Sequence, residues 1–305
     1  MHDLIIIGSG PAGLTAGLYA GRYGLKTLIL EKMSACGQII LSPAIENYPG
    51  FPESLTTQEL IDRMKKQTDD LGINIKLEEV QELTPMNQEG MTIYSVKIQD
   101  NSYDTRSVII ATGAQPRRLG VNGEDRLIGR GVSYCGVCDG PLFRDKDIIV
   151  VGAGDRAIEE AIFLTEYAKK VTVIHRRNEL RASKILEEKA RQNSKINFIL
   201  NTIVEEIEGA QKVEALKIRN VNTDSISRFS CQGVFIFVGI KPSTGFLNKQ
   251  LTLDASGFII TDQDLATSLK GVFACGDCRQ KSLYQVITAC ADGAIGAASV
   301  HRYLL

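Results

Sequence analysis

Two glycine-rich turns constrain this chain more than any other feature. The first, Gly8-Ser9-Gly10-Pro11-Ala12-Gly13, follows the apolar run 4–7 and precedes a small-residue stretch at 14–23 that predicts a helix. A second apolar run, 27–30, ends at Glu31. The pattern recurs at Gly152-Ala153-Gly154-Asp155-Arg156-Ala157, after the run 148–151 and before a predicted helix over 158–168 and a strand over 171–174. Twenty-three positions separate Gly8 from Glu31, and the same number separate Gly152 from His175. Strand, turn, helix and strand at this spacing form a dinucleotide-binding unit. Its first glycine makes the sharp turn and its second lets amides approach a pyrophosphate. The third small residue packs helix on strand, and the helix N-terminus favours phosphate charge. The expected fold is α/β, with two Rossmann-like, three-layer dinucleotide-binding domains.

The two units differ where the second strand ends. Glu31 can accept hydrogen bonds from ribose hydroxyls, as a carboxylate at that position does. The other unit ends in His175-Arg176-Arg177, with Arg181 four positions on. A carboxylate there would repel a ribose 2′-phosphate, whereas guanidinium groups bind one with charge-assisted hydrogen bonds. NADPH is therefore expected over NADH, against the alternative of a solvated basic patch. If 178–181 begin a helical turn, Arg177 and Arg181 share a face.

Immediately before the second turn stands Cys135-Gly-Val-Cys138-Asp139. Two cysteines at this spacing can close a disulfide, and a depressed thiolate pKa makes one of them reactive. Asp139 adjoins the pair and can exchange the proton that each half-reaction requires. Two nucleotide sites and a dithiol describe a relay from nicotinamide through flavin to disulfide. The rival reading of a CxxC is zinc, which needs two more ligands. A second pair, Cys275-Gly276-Asp277-Cys278, reads as packed thiols, a second redox pair or a metal clip. No metal is assigned.

The chain of 305 residues has the length of two domains. Lys and Arg number 35 against 36 Asp and Glu, so no nucleic-acid or anionic-membrane surface is expected. No apolar run approaches the ~20 residues of a membrane span. Met1-His2-Asp3 carries no basic n-region, so no secretory signal is expected. Seven cysteines, an odd number in a long chain, point to a reducing, cytoplasmic setting.

Together with Gly37-Gln38, Glu46-Asn47-Tyr-Pro-Gly-Phe51, Ala111-Thr112-Gly113, His175-Arg-Arg-x-x-x-Arg-Ala182 and Gly276-Asp277, these motifs span nearly the whole chain. In content and order the set resembles the low-molecular-weight thioredoxin reductases, FAD- and NADPH-dependent pyridine nucleotide-disulfide oxidoreductases. The resemblance implies a discontinuous FAD domain, 1–114 plus 244–305, with an NADPH domain inserted at 115–243. It places Gly37, Gln38, Asn47, Ala111, Thr112, Gly113, Gly276 and Gln285 at the flavin, and Asp277 on the ribityl chain. It implies that Cys138 faces the flavin and takes electrons from its C4a position, and that Cys135 attacks the partner's disulfide. The implied partner is thioredoxin or a thioredoxin-like protein, and the implied assembly a homodimer.

Three positions depart from the family pattern. Cys36 stands where glycine is usual, and Tyr284 precedes Gln285 where arginine is usual. Arg156 replaces a small residue and either adds charge beside the pyrophosphate or crowds it. Alternative roles are reduction of a peroxiredoxin or glutaredoxin-like carrier, a ferredoxin-linked flavoprotein, or a redox sensor. The thioredoxin-reductase-like ferredoxin–NADP reductases lack the CxxC.

Overall fold

The computed structural model describes residues 1–32, 37, 39, 44–45, 47–52, 55–88, 91–248 and 250–305. Gln38, Cys36 and Glu46 lie outside the described residues. The described helices are α1 (Pro11–Arg22), α2 (Thr57–Asp69), α3 (Glu124–Leu127), α4 (Gly136–Asp139), α5 (Asp155–Leu164), α6 (Lys184–Gln192) and α7 (Val286–Leu304). Both helices that follow glycine turns begin three residues earlier than the apolar pattern predicts. Pro11 suits the first turn of α1, where its missing N–H costs nothing.

The chain divides into two compact units, Met1–Ile40 with Ala44–Gln115 and Lys241–Leu305, and Pro116–Ile240. In the first, parallel strands lie in the order 74–77, 27–31, 2–7 and 102–110, with 272–274 also parallel to 102–110. The strands 91–97 and 82–88 extend the sheet antiparallel. Strand geometry sends alternate side chains to opposite faces. Leu4 and Ile6 accordingly pack with Ala12, Ala16 and Ala20 of α1 and Ala297 of α7, while Ile5 and Ile7 pack with Leu83, Tyr94 and Leu247. Both faces are covered, so residues 4–7 of the strand are apolar at every position.

The second unit repeats this logic. Its parallel sheet runs 132–133, 233–236, 147–151, 170–174, 196–199. Ile148 and Val150 face Ala157, Ile158 and Ala161 of α5. Ile149 and Val151 face the other way, onto Val204, Ile207 and Leu216. Those three belong to an antiparallel sheet, 202–208, 215–220 and 226–230, which supplies the third layer in place of helices. The short strands Ala114–Pro116 and Ile240–Pro242 pair where the chain passes from one unit to the other and back.

Ile109 is fully buried in the central strand of the first sheet. Ile109→Ala removes a methyl-rich side chain from a site covered on both faces and should destabilise by about 2–5 kcal/mol. Urea unfolding with an unchanged m-value checks this, and a loss below ~1 kcal/mol would contradict the packing described.

Candidate active site

The first turn is built by close approach. Gly8 has φ +106°, and a Cβ there would collide with the Ala111 carbonyl, while one on Gly13 would collide with the Gly8 carbonyl. The turn therefore presses α1 against the end of the strand and brings Ala111 beside it. Gly10 caps α1 without a side-chain hydrogen bond, which leaves the first amides of the helix open. Glu31 accepts from Ser9 N at 2.7 Å and Ser9 Oγ at 2.8 Å, so the turn is also tied to the next strand. Gly37 approaches to 3.1 Å of Gly10 Cα, measured from where its Cβ would stand. Thr112 Oγ1 donates to Ser243 O at 2.8 Å, and Gly113 O accepts from Ser243 N at 3.0 Å. Asn47 Nδ2 donates to Gln285 Oε1 at 3.1 Å.

The Gly276-Asp277 turn meets the same place, since a Cβ on Gly276 would stand 2.9 Å from Ala12 Cβ. Asp292 of α7, almost fully buried, holds this turn. Its Oδ2 accepts from Gly276 N at 3.0 Å, Arg279 Nε at 2.9 Å and Lys281 Nζ at 3.1 Å, and its Oδ1 accepts from Arg279 Nη2 at 2.8 Å. Burial alone would raise the Asp292 carboxyl; the Arg279 hydrogen bonds and the Lys281 charge outweigh it and hold it below its ordinary range. Asp277 Oδ1 is buried without a hydrogen-bond partner, 3.8 Å from Lys281 Nζ, and burial raises this carboxyl.

Cys275 and Cys278 are fully buried free thiols. Their sulfurs donate to the carbonyls of Asp292 and Ile110, and burial pushes the Cys278 thiol up to about 11 and Cys275 well above its ordinary value. They are packed core thiols. Cys290 and Cys231 are likewise buried. Tyr284 packs on Phe258, their ring centroids 5.4 Å apart, and His301 stacks on Tyr23 at 4.4 Å. Among the described residues, no group of three or more His, Cys, Asp or Glu could hold a metal ion.

In the second unit, Gly152 has φ +130° and lies against the Phe237 carbonyl, with Ala157 Cβ packed beside it. Gly154 caps α5 without a side-chain bond, and nothing lies within 4 Å of where its Cβ would stand. Residues 176–179 and 182 form bends, so no helical turn begins at 178–181 and α6 starts only at Lys184. Tertiary hydrogen bonds shape the segment instead. Arg181 N donates to Ala153 O at 2.7 Å, Ser183 N to Asp155 Oδ1 at 2.6 Å, and Asn201 N to Arg177 O at 3.0 Å. The arginine segment is thus fastened to the glycine turn by backbone. Arg176, Arg177 and Arg181 are exposed and form no ion pair with described residues. His175 is buried, and burial with the three arginine charges holds its pKa below the ordinary value.

Cys135 and Cys138 form a disulfide closed over the single turn of α4, with Cα atoms 5.4 Å apart. Ser133 fixes the entry: Cys135 N donates to Ser133 Oγ at 3.0 Å, and that hydroxyl donates to Cys135 O at 3.1 Å. Cys138 N donates to Cys135 Sγ at 3.1 Å. Cys138 is exposed and Cys135 buried. Arg156 is half-buried, its guanidinium 5.5 Å from the Phe237 ring centroid and its Nη2 3.4 Å from Tyr134 O. No sequence motif marks Ser9, Ser243, Arg279, Lys281, Asp292 or Glu160 as a site residue. Of these only Asp292 leaves a local signal, as a lone acid in the small-residue stretch 286–300.

The pattern of the pyridine nucleotide-disulphide oxidoreductase family matches residues 2–293. A thioredoxin reductase of Peptoclostridium litorale is 43% identical over 310 residues, covering 100% of this chain and 97% of that one. That of Listeria monocytogenes is 44% identical over 306 residues, covering 100% and 94%. The crystal structure of Lactococcus lactis thioredoxin reductase (FR conformation) superposes with a TM-score of 0.96 at 40% identity, covering 100% and 99%.

Asp292→Asn keeps the shape of the hub and removes its charge. Arg279 and Lys281 then lose the carboxylate they share, and the loss should be about 3–5 kcal/mol. In the parent the Asp292 contribution is present above its unfolded pKa of 3.8 and disappears as pH falls through the lower folded value. Urea titrations across this range should show a shallower acid slope in the variant; equal slopes would show that the carboxylate is not linked to stability.

Proposed function

The chain belongs to the pyridine nucleotide-disulphide oxidoreductase family, and on that footing we propose that it is an FAD-containing, NADPH-dependent disulfide reductase that reduces thioredoxin through Cys135 and Cys138. The observation that carries this reading is a closed disulfide in the same compact unit as a dinucleotide turn ending in three unpaired arginines.

We assign FAD to 1–114 plus 244–305 and NADPH to 115–243. The residues of the first unit fit FAD. The open end of α1 suits a pyrophosphate, Glu31 a ribose, and the orphaned Asp277 Oδ1 a hydroxyl of the ribityl chain. Gly10, Pro11, Ala12, Gly13, Gly37, Ala111, Thr112, Gly113, Gly276, Asn47 and Gln285 complete that site, and Gln38 is proposed with them. When bound, FAD supplies the two-electron carrier between NADPH and the dithiol. At the second turn the open N-terminus of α5, at Gly154, faces the pyrophosphate, and Arg176, Arg177 and Arg181 take the 2′-phosphate. Asp155 acts indirectly, by holding the arginine segment. His175, neutral at physiological pH, supports the site without adding charge.

Exposed Cys138 is the sulfur at which electrons enter. The two electrons break the S–S bond, and Asp139 beside the pair exchanges a proton with the thiols. Cys135, once uncovered, attacks the thioredoxin disulfide as a thiolate to form a mixed disulfide. Cys138 then resolves it, which closes the Cys135–Cys138 bond and releases the carrier as a dithiol.

We also propose a homodimer. A groove lined by Leu14, Leu18 and Tyr19 of α1, Met64 of α2 and Ile287 of α7 leaves apolar surface for a second copy to cover. A cytoplasmic setting agrees with four buried free thiols. No described helix is long and apolar enough to cross a membrane.

The purified protein should be yellow, and NADPH should bleach it. Cys138→Ser should abolish thioredoxin reduction and leave flavin reduction by NADPH intact. Wild-type turnover of the carrier by that variant would remove the dithiol from the pathway. A panel of thioredoxin, glutaredoxin-like and peroxiredoxin acceptors identifies the carrier.

Arg176→Ala with Arg177→Ala should raise the KM for NADPH by roughly ten- to a hundredfold for each guanidinium removed from the phosphate. Equal wild-type efficiency with NADH would overturn the phosphate assignment.

A further inference from the structure

A buried acid lies under the redox centre. Glu160 of α5 is only 1% exposed. Its carboxyl occupies the space where a side chain on Gly136 would begin, since a Cβ there would collide with Glu160 Oε2. Gly136 is the residue between Cys135 and Val137, so the carboxyl is pressed against the loop that the disulfide closes. Neither oxygen makes a hydrogen bond of good geometry, and the Gly136 amide lies close enough only to favour the ionised form. Arg156, one turn earlier on the same helix, reaches toward the same loop through the Tyr134 carbonyl but forms no ion pair with Glu160. Arg156 Nε is itself buried and unpartnered. An unpaired carboxyl in such a place is costly unless it exchanges protons or serves its neighbour.

We propose that Glu160 is a positioning residue of the redox centre: its carboxyl takes up a proton when the Cys135–Cys138 disulfide is reduced, and it thereby sets how much of the dithiol is thiolate around neutral pH. The inference rests on the reductase reading above. NADPH gives up two electrons and one proton. The electrons break the S–S bond and leave two anionic sulfurs. One sulfur becomes a thiol and the other stays a thiolate. Two like charges cannot both persist in a buried, low-dielectric neighbourhood, so the Glu160 carboxylate becomes a carboxylic acid. Of the two protons bound, one comes from the NADPH hydride and one from solvent, and the net charge of the site is unchanged.

The surroundings favour this exchange. Burial pushes the Glu160 carboxyl up to about 7, against the Arg156 charge and the Gly136 amide, which favour the ionised form. On its own helix the other charge acting on it is exposed Glu159, which adds to the rise. The turn that packs on it through Gly136 also carries Cys135, Cys138 and Asp139. The strands beneath α5 carry Asp147 and Lys170 only as exposed first residues. On α6, Glu187 pairs with Lys184 and Arg191, and burial with the Arg156 charge is left as the main control.

The test follows alkylation of exposed Cys138 by iodoacetamide, read by mass spectrometry, on holoenzyme reduced anaerobically with equimolar NADPH, between about pH 5 and 9. A coupled acid–thiol pair loses its protons in two macroscopic steps. Wild type should therefore show two steps in rate. Glu160→Gln should show one step, close to the first wild-type step, and lose the second step altogether. Glu160→Asp should restore two steps. Arg156→Gln, lacking the cation, should move both steps to higher pH. Asp139 is unchanged in every variant, so whatever it contributes is common to all profiles. A Glu160→Gln profile superimposable on wild type overturns the proposal. If that variant loses its flavin or its circular dichroism, unmoved steps in Arg156→Gln overturn it alone. Failure of NADPH to yield alkylatable Cys138 would count against the reductase reading instead, and the same profiles are then taken after dithiothreitol and desalting.

Discussion

Everything at the two nucleotide turns depends on backbone approaching backbone closer than any side chain permits. Gly13 sits against the Gly8 carbonyl, Gly8 against Ala111, and Gly152 against Phe237. These contacts press a helix end onto a strand end and leave the first helical amides facing outward. A methyl group at any of them would separate helix from sheet before it disturbed a ligand. The buried parts of the strands behind, such as 4–7 and 148–151, can then be continuously apolar, because helix and opposing layer cover both faces. Nucleotide binding and the cores thus rest on the same few ångströms.

The charged hub around Asp292 answers a different problem. The Gly276-Asp277 turn, proposed above for the flavin, has two cations beside it that would be costly to bury alone. One carboxylate accepts four hydrogen bonds and fastens the turn, Arg279, Lys281 and α7 together. Asp277 is left with an unsatisfied oxygen. In a native structure such an atom usually has a partner, so the orphan points toward a ligand hydroxyl.

Local pattern reveals the glycine turns, the CxxC and the exchange of Glu31 for arginines, because each is fixed by neighbours in sequence. The arginine segment misleads for the opposite reason. Spacing at 177 and 181 allows a helical turn, but hydrogen bonds from Arg181 to Ala153 and from Asn201 to Arg177 hold the segment in bends. Tertiary contacts override local propensity there. Ser9, Ser243 and Asp292 act through partners 16 to 131 positions away, a distance at which one-dimensional periodicity carries no information. The antiparallel third layer at 202–230 is also hidden in the sequence, since its strands alternate weakly and carry many charges.

Arg156 shows how a departure from a motif acquires meaning only in three dimensions. As a sequence symbol it belongs to the second nucleotide turn. In the fold its guanidinium lies over Phe237 and reaches the residue before Cys135. The same helix therefore has its uncapped N-terminus at the glycine turn and, one turn further on, its buried acid against the turn between the cysteines. Glycine at 136 is what makes room for that acid. Any larger residue at 136 would force the Glu160 carboxyl away from the loop or push the loop off the helix. The choice of residue inside the CxxC and the charge beneath it are consequently one constraint, and neither can be read without the other.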